Sequence, residues 1–237
     1  LFLKTPDTFP LLKIMHDCGL LDYILPASNE AFVQYQKVES LLKHPEKTFP
    51  EHANKFGSKN FLNKHYLVKL SALLMMQNPM SDMHPKKENT KDYNLQFSNA
   101  EKQLIKLAVS GAKSLAQIYL SEEFNKNYEL IQNVHEEILA SAVLFVTNSE
   151  GPDTMDRAFF CNCLLKFYYD QFLPIVNKKP LLNGEDIIHQ FKLSPSPLFG
   201  KILNCVQREQ VLGKVTTRED AMILAENIIQ SQTNESN

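Results

Sequence analysis

The spacing of glycine constrains this chain more than any other feature. Seven glycines occur in 237 residues, at positions 19, 57, 111, 151, 184, 200 and 213, and no two lie closer than 13 apart. Phosphate-cradling loops of the GxGxxG or GxxxxGK[ST] kind need two glycines within about six residues, so both kinds are excluded. Repeated tight hairpins, which lean on glycine at positive φ, are disfavoured for the same reason. The apolar residues instead recur at helical spacing, and period-two patterning is nearly absent, Leu95–Phe97 being too short to matter. Hydrophobic residues make up 43% of the chain, enough to bury a sizeable core. The expectation is an all-α fold, an irregular multi-helix array with no significant sheet and no solenoid repeat.

Local signals place the helices. Pro6 and the apolar Phe9, Leu12, Ile14 and Met15 precede Gly19, a residue suited to closing a helix. Ser28 is positioned to cap a helix running to about Lys43, with Phe32, Tyr35, Val38, Leu41 and Leu42 on one stripe. The most apolar helix is expected from about Asn60 to Met76. Pro79, Pro85 and the polar run between Ser81 and Asn94 read as a loop. Ser98 and Glu101 form a capping-box pattern, for a helix that Gly111 is expected to stop. A short helix around Leu115–Leu120 and a long one around Tyr128–Thr147 follow. Ser149–Asp153 punctuates the chain before a buried helix from Met155 to Phe172, and Pro174 to Pro180 is a second break. Gly184, Pro197 and Thr217 open the last three helices, the final one spanning Ala221–Ile229, with a polar, disordered tail beyond it.

Charge and side-chain chemistry narrow the function classes. There are 25 Lys+Arg against 27 Asp+Glu, a formal net charge of −2. That total hides a contrast: residues 37–69 hold seven Lys and three acidic groups, whereas residues 98–156 hold four Lys and nine acidic groups. The basic stretch reads either as ordinary solvated helix faces or as part of a polyanion-binding surface. The four cysteines, Cys18, Cys161, Cys163 and Cys205, form no CxxC, which points to thiols in a reducing compartment rather than to zinc. The longest apolar run, within Leu139–Val146, is too short to span a bilayer, and no leader pattern is present. A soluble cytoplasmic protein is expected; the first residue, Leu1, suggests a piece of a longer chain. His44, His52, His65 and His84 include no i, i+4 pair of the helical metal-site kind. Glu136-Glu137 and Glu185-Asp186 read as helix-surface and helix-start carboxylates. Residue patterns alone stop at an all-α domain without visible catalytic chemistry.

The C-terminal third carries a more specific signal. Leu182-Asn-Gly184-Glu-Asp186-Ile-Ile is followed by Leu193-Ser-Pro195-Ser-Pro197-Leu-Phe-Gly200-Lys-Ile202-Leu203, then by Gly213-Lys-Val-Thr-Thr217-Arg218-Glu219-Asp-Ala221. Upstream stand Leu11-Leu-Lys-Ile-Met15 to Gly19-Leu-Leu21, ending Ile24-Leu25-Pro26, then Leu67-Val-Lys-Leu70-Ser-Ala-Leu-Leu74, then Leu95-Gln-Phe97-Ser98-Asn99-Ala100-Glu101. In this order the segments resemble the neck, body and tail of bacterial CCA-adding tRNA nucleotidyltransferases and their poly(A) polymerase relatives. Two departures stand out. Met75-Met76-Gln77 occupies the place where some relatives carry a His-Asp metal pair, and Ser196 replaces the middle glycine of the family's Pro-Gly-Pro turn.

The resemblance implies three stretches, a neck/body region at 1–97, a further body region at 98–176 and an RNA-binding tail at 177–230; the polar residues 231–237 beyond them are expected to be disordered. It implies that the chain holds the acceptor arm and elbow of tRNA while a catalytic head adds C, C and A from CTP and ATP with Mg2+. In the family that head carries a Gly-Ser element and an Asp-x-Asp pair of metal-binding carboxylates. No Asp-x-Asp occurs anywhere in this sequence, so the chain alone is expected to be inactive, to hold no cofactor and to work with its own N-terminal head. The RNA-binding candidates are Lys178, Lys179, Lys192, Lys201 and Arg208, with Lys59, Lys64 and Lys69 behind them. No membrane partner is expected. The alternatives are a poly(A) polymerase relative and a non-catalytic α-helical protein-interaction module.

Overall fold

The computed structural model describes residues 2–21, 24–25, 27–75, 97–121, 126–148, 154–192, 194 and 196–235. The polar run between Ser81 and Asn94, with His84, Met76 and Gln77, lies outside the described residues, as do Ser149–Asp153, Leu193 and Pro195. In chain order the helices are α1 (Phe9–Asp17), α2 (Asn29–Lys43), α3 (Ala53–Phe56), α4 (Lys59–Leu62), α5 (His65–Met75), α6 (Asn99–Ser121) and α7 (Asn127–Val134). Then come α8 (Ile138–Thr147), α9 (Thr154–Phe167), α10 (Leu173–Val176), α11 (Gly184–Phe191), α12 (Pro197–Val211) and α13 (Arg218–Glu235). No strand occurs among the described residues, and the fold is all-α. The chain divides into two compact units, Leu1–Leu165 and Lys166–Asn237.

In the first unit α8 is the central helix: every residue from Ile138 to Thr147 is buried, with α6, α2 and α5 packed around it. The starts of its helices follow the side chains read from the sequence. Ser28 Oγ accepts the Ala31 N–H at 3.3 Å. Ser98 Oγ accepts the Glu101 N–H at 3.3 Å while Glu101 Oε2 accepts the Ser98 N–H at 2.8 Å, a reciprocal cap. Gly19, at φ 74, closes α1.

Three boundaries of the first unit differ from the sequence reading. Gly111 does not stop a helix; it lies buried in the middle of the 23-residue α6. A Cβ there would sit 2.2 Å from Ser141 Oγ and 2.9 Å from Val134 Cγ1, so the missing side chain is what lets α6 lie against α8. The apolar stretch after Asn60 is two helices, α4, capped by Ser58 Oγ accepting the Phe61 N–H at 3.3 Å, and α5. The expected Tyr128–Thr147 helix breaks at His135, whose φ is 43, and restarts as α8.

A buried polar network pins the start of α1. Glu39 of α2 is 3% exposed, and its carboxylate accepts the Thr8 N–H at 2.7 Å, the Thr8 hydroxyl at 2.5 Å and the Phe9 N–H at 3.1 Å. A negative side chain thereby satisfies the free amides at a helix N-terminus. Lys69 of α5 lies 3.5 Å from the same carboxylate and donates to the Thr5 carbonyl at 2.8 Å and to Thr8 Oγ1 at 3.1 Å.

The second unit is built around Leu182, Ile187, Ile202, Val206, Val215, Ala221 and Ala225, contributed mainly by α11, α12 and α13. Its first part winds as a π-helical turn over Tyr168–Phe172 before α10. Pro174, which has no N–H to donate, accounts for the loss of α-helical register there. The last helix runs to Glu235, past the Ile229 at which the sequence reading ends it. Neither glycine nor proline occurs between Gly213 and Glu235 to end it earlier.

Candidate nucleic-acid interface

The second unit's scaffold is set by reciprocal caps and one charged clamp. Asn183 Oδ1 accepts the Asp186 N–H at 3.0 Å and Asp186 Oδ2 accepts the Asn183 N–H at 2.8 Å, which fixes the start of α11. Thr217 and Asp220 do the same for α13: Thr217 Oγ1 accepts the Asp220 N–H and Asp220 Oδ2 accepts the Thr217 N–H, both at 3.1 Å. Arg218 bridges the two ends. Its guanidinium pairs with both oxygens of Asp186 and donates to the Leu181 carbonyl at 3.1 Å. The Arg218 hydrogen bond, helped by the Asn183 amide, holds the Asp186 carboxyl below its ordinary value. The Thr217 hydroxyl does the same for Asp220, with the Thr216 and Thr217 amides.

On this frame the sequence-derived cations take different positions. Lys178 and Lys179 are exposed in the connection that follows α10. Lys192 is exposed at the end of α11, in the left-handed region. Lys201 is exposed on α12, and Arg208 stands seven residues later, nearly in line with it on the helix surface. Arg208 is partly buried, and its Nε finds no hydrogen-bond partner among the described residues. All five belong to one compact unit. Lys214 of the same unit is engaged by Glu209 at 2.9 Å.

The first unit's candidates fare differently. Lys59 is exposed at the start of α4. Lys64 is partly buried and held by Glu137 at 2.6 Å, with Glu136 at 3.7 Å. Lys69 is removed from the set of RNA contacts, because it is 3% exposed and committed to Glu39, Thr5 and Thr8. Burial pushes its ammonium below the usual lysine value, opposed by the attraction of Glu39. Its position within an apolar helix was the available sign: flanked by Leu67, Val68 and Leu70, a lysine on α5 had little chance of reaching water. Arg218, passed over as a site residue, is the one that ties α11 to α13; its place in the Thr217-Arg218-Glu219 segment was the signal.

Among the described residues no three His, Cys, Asp or Glu side chains gather where a metal could be held. No Asp-x-Asp pair occurs in the sequence. Among the described residues no helix is long and apolar enough to cross a membrane.

A family model for tRNA nucleotidyltransferase domain 2 matches residues 93–225, more than half of the chain. The chain belongs to the tRNA nucleotidyltransferase domain 2 family. Neither a curated protein nor a solved structure matches it. The matched span of this tRNA nucleotidyltransferase family member opens just ahead of the Ser98 cap and ends within α13. It takes in the Gly111 crossing, the Asn183–Asp186 cap, the Arg218 clamp and all five cations of the second unit, and leaves Lys59, Lys64 and Lys69 outside.

Proposed function

We propose that this chain is the tRNA-holding helical portion of a CCA-adding nucleotidyltransferase. In this reading it grips the acceptor arm and elbow of tRNA while a separate catalytic head, with Mg2+, adds the terminal C, C and A from CTP and ATP. The family match over residues 93–225 carries the proposal. The sequence supports the division of labour: it holds no Asp-x-Asp pair of the kind the resembled family's catalytic head carries for two-metal nucleotidyl transfer. The second unit meanwhile displays Lys178, Lys179, Lys192 and Lys201 to solvent. Contacts from such groups go to phosphate and helix shape rather than to base edges, as suits an A-form RNA stem.

The test is binding of the whole chain to tRNA across a salt series, with a DNA duplex of equal charge as comparison. Binding at low salt that weakens steeply as salt rises, and that is lessened by Lys178→Ala together with Lys179→Ala, is the expected result. No binding to tRNA at low salt would sink the reading.

A further inference from the structure

Among the described residues positive φ occurs at Gly19, Gly213, His135 and Lys192. The two glycines follow α1 and α12, where the absence of a Cβ makes the left-handed conformation free of strain. His135 forms the break between α7 and α8. Lys192 closes α11 at φ 53 and ψ 34, in the region glycine fills at the other two helix ends, but with a side chain attached. A lysine here is strained relative to glycine. Attraction to the α11 C-terminus does not require the strained position: α12 keeps its cation, Arg208, inside the last turn and leaves the following left-handed residue to Gly213, and α11 already has His189 in its own last turn. Nor does an ion pair hold Lys192, since it is exposed and meets no carboxylate partner among the described residues. Lys214 and Arg218 of the same unit, by contrast, are both engaged.

We propose that Lys192 is a principal phosphate contact for the RNA held by the second unit, an inference that rests on the tRNA-holding function above. The position gives up backbone comfort for a charge that no carboxylate among the described residues pairs with. An ammonium on a flexible stem is a point charge suited to a phosphate oxygen rather than to base recognition.

Three variants of the full chain test it, with tRNA as the probe: Lys192→Gly, Lys192→Asn and Lys192→Arg. Glycine and asparagine both accept the left-handed backbone without charge; arginine keeps the charge. Lys192→Gly is expected to raise the thermal unfolding midpoint by a few degrees, since it relieves the backbone. The same variant is expected to weaken tRNA binding several-fold near 0.1 M salt and to flatten the slope of log affinity against log salt by about one. Lys192→Asn should weaken binding equally, and Lys192→Arg should restore it. If Lys192→Gly binds tRNA with wild-type affinity and slope, while the Lys178 and Lys179 variants still weaken it, Lys192 is only a helix end and this proposal falls alone. A fall in both the midpoint and the affinity assigns Lys192 to the fold and overturns the proposal. If the wild-type chain does not bind tRNA, the tRNA-holding function falls and takes this one with it.

Discussion

Replacing Gly111 with alanine pits two effects against each other, and the geometry decides the sign. On an exposed helix the change would stabilise by about 1 kcal/mol, because alanine is the better helix former. At the α6–α8 crossing the new methyl would meet Ser141 Oγ at 2.2 Å, Ser141 Cβ at 2.9 Å and Val134 Cγ1 at 2.9 Å. None of these atoms is the loose end of a flexible chain. Ser141 Oγ donates to the Glu137 carbonyl at 2.9 Å and is fully buried, and valine is stiff at χ1. The helices must therefore part, and overpacking of this kind costs about 1–3 kcal/mol, occasionally more. With contacts this short the upper part of that range applies, so Gly111→Ala should destabilise by about 2 kcal/mol after the helix-propensity gain is set against it. Equilibrium urea unfolding followed by far-ultraviolet circular dichroism reads this as a lower midpoint at an unchanged slope. Ser141→Ala removes the nearest atom. In that background Gly111→Ala should cost about 1 kcal/mol less than in the wild type, a non-additivity expected only if the two positions touch. A Gly111→Ala variant as stable as the wild type, or more so, would refute the close-crossing argument.

Two further outcomes follow from the charged groups. Glu39→Met alone should destabilise by about 3–5 kcal/mol, because Lys69 is left buried without its counter-charge, whereas Lys69→Met should cost less, since Lys43 still stands 3.9 Å from the Glu39 carboxylate. The double variant, measured by the same unfolding assay, should be more stable than the sum of the single losses predicts. For Asp186 the folded carboxyl sits below its ordinary value of 3.8, so the unfolded chain takes up a proton first as the solution is acidified. The stability contributed by the Arg218 clamp is therefore fully present above that ordinary value and is lost as pH falls through the lowered one. Acid unfolding of Asp186→Asn should show a weaker pH dependence in that window, and equal dependence in the two proteins would count against the clamp.

The parts of the fold written in local side-chain chemistry were readable from the sequence. Ser28 and Ser98 act within three residues of themselves, and their hydrogen bonds appear where the pattern places them. Gly111 was misread because a glycine that ends a helix and a glycine that admits a neighbouring helix look alike along the chain. Only the presence of Ser141, thirty residues away, tells them apart. Lys69 was misread for a related reason: its partners Thr5, Thr8 and Glu39 are distant in sequence, and no local rule announces a buried ion pair. The family signature survived both errors, because Asn183, Asp186, Thr217, Arg218 and Asp220 form short-range caps and one clamp that keep their spacing recognisable. The strained backbone of Lys192 could not be read from the sequence, since lysine is the ordinary residue for a solvated helix end.

The Glu39 carboxylate that caps α1 has a consequence for the order in which the first unit can assemble. A nine-residue helix with Leu11 and Ile14 facing solvent is too short and too exposed to persist by itself. Its opening amides find their acceptor on α2, and the acceptor's counter-charge arrives from α5. Residues 5–17 thus borrow their stability: the leading helix can close only after α2 and α5 have docked, and it lets go as soon as they separate. Hydrogen exchange at the Thr8 and Phe9 amides is therefore expected to lose its protection whenever Glu39 is removed.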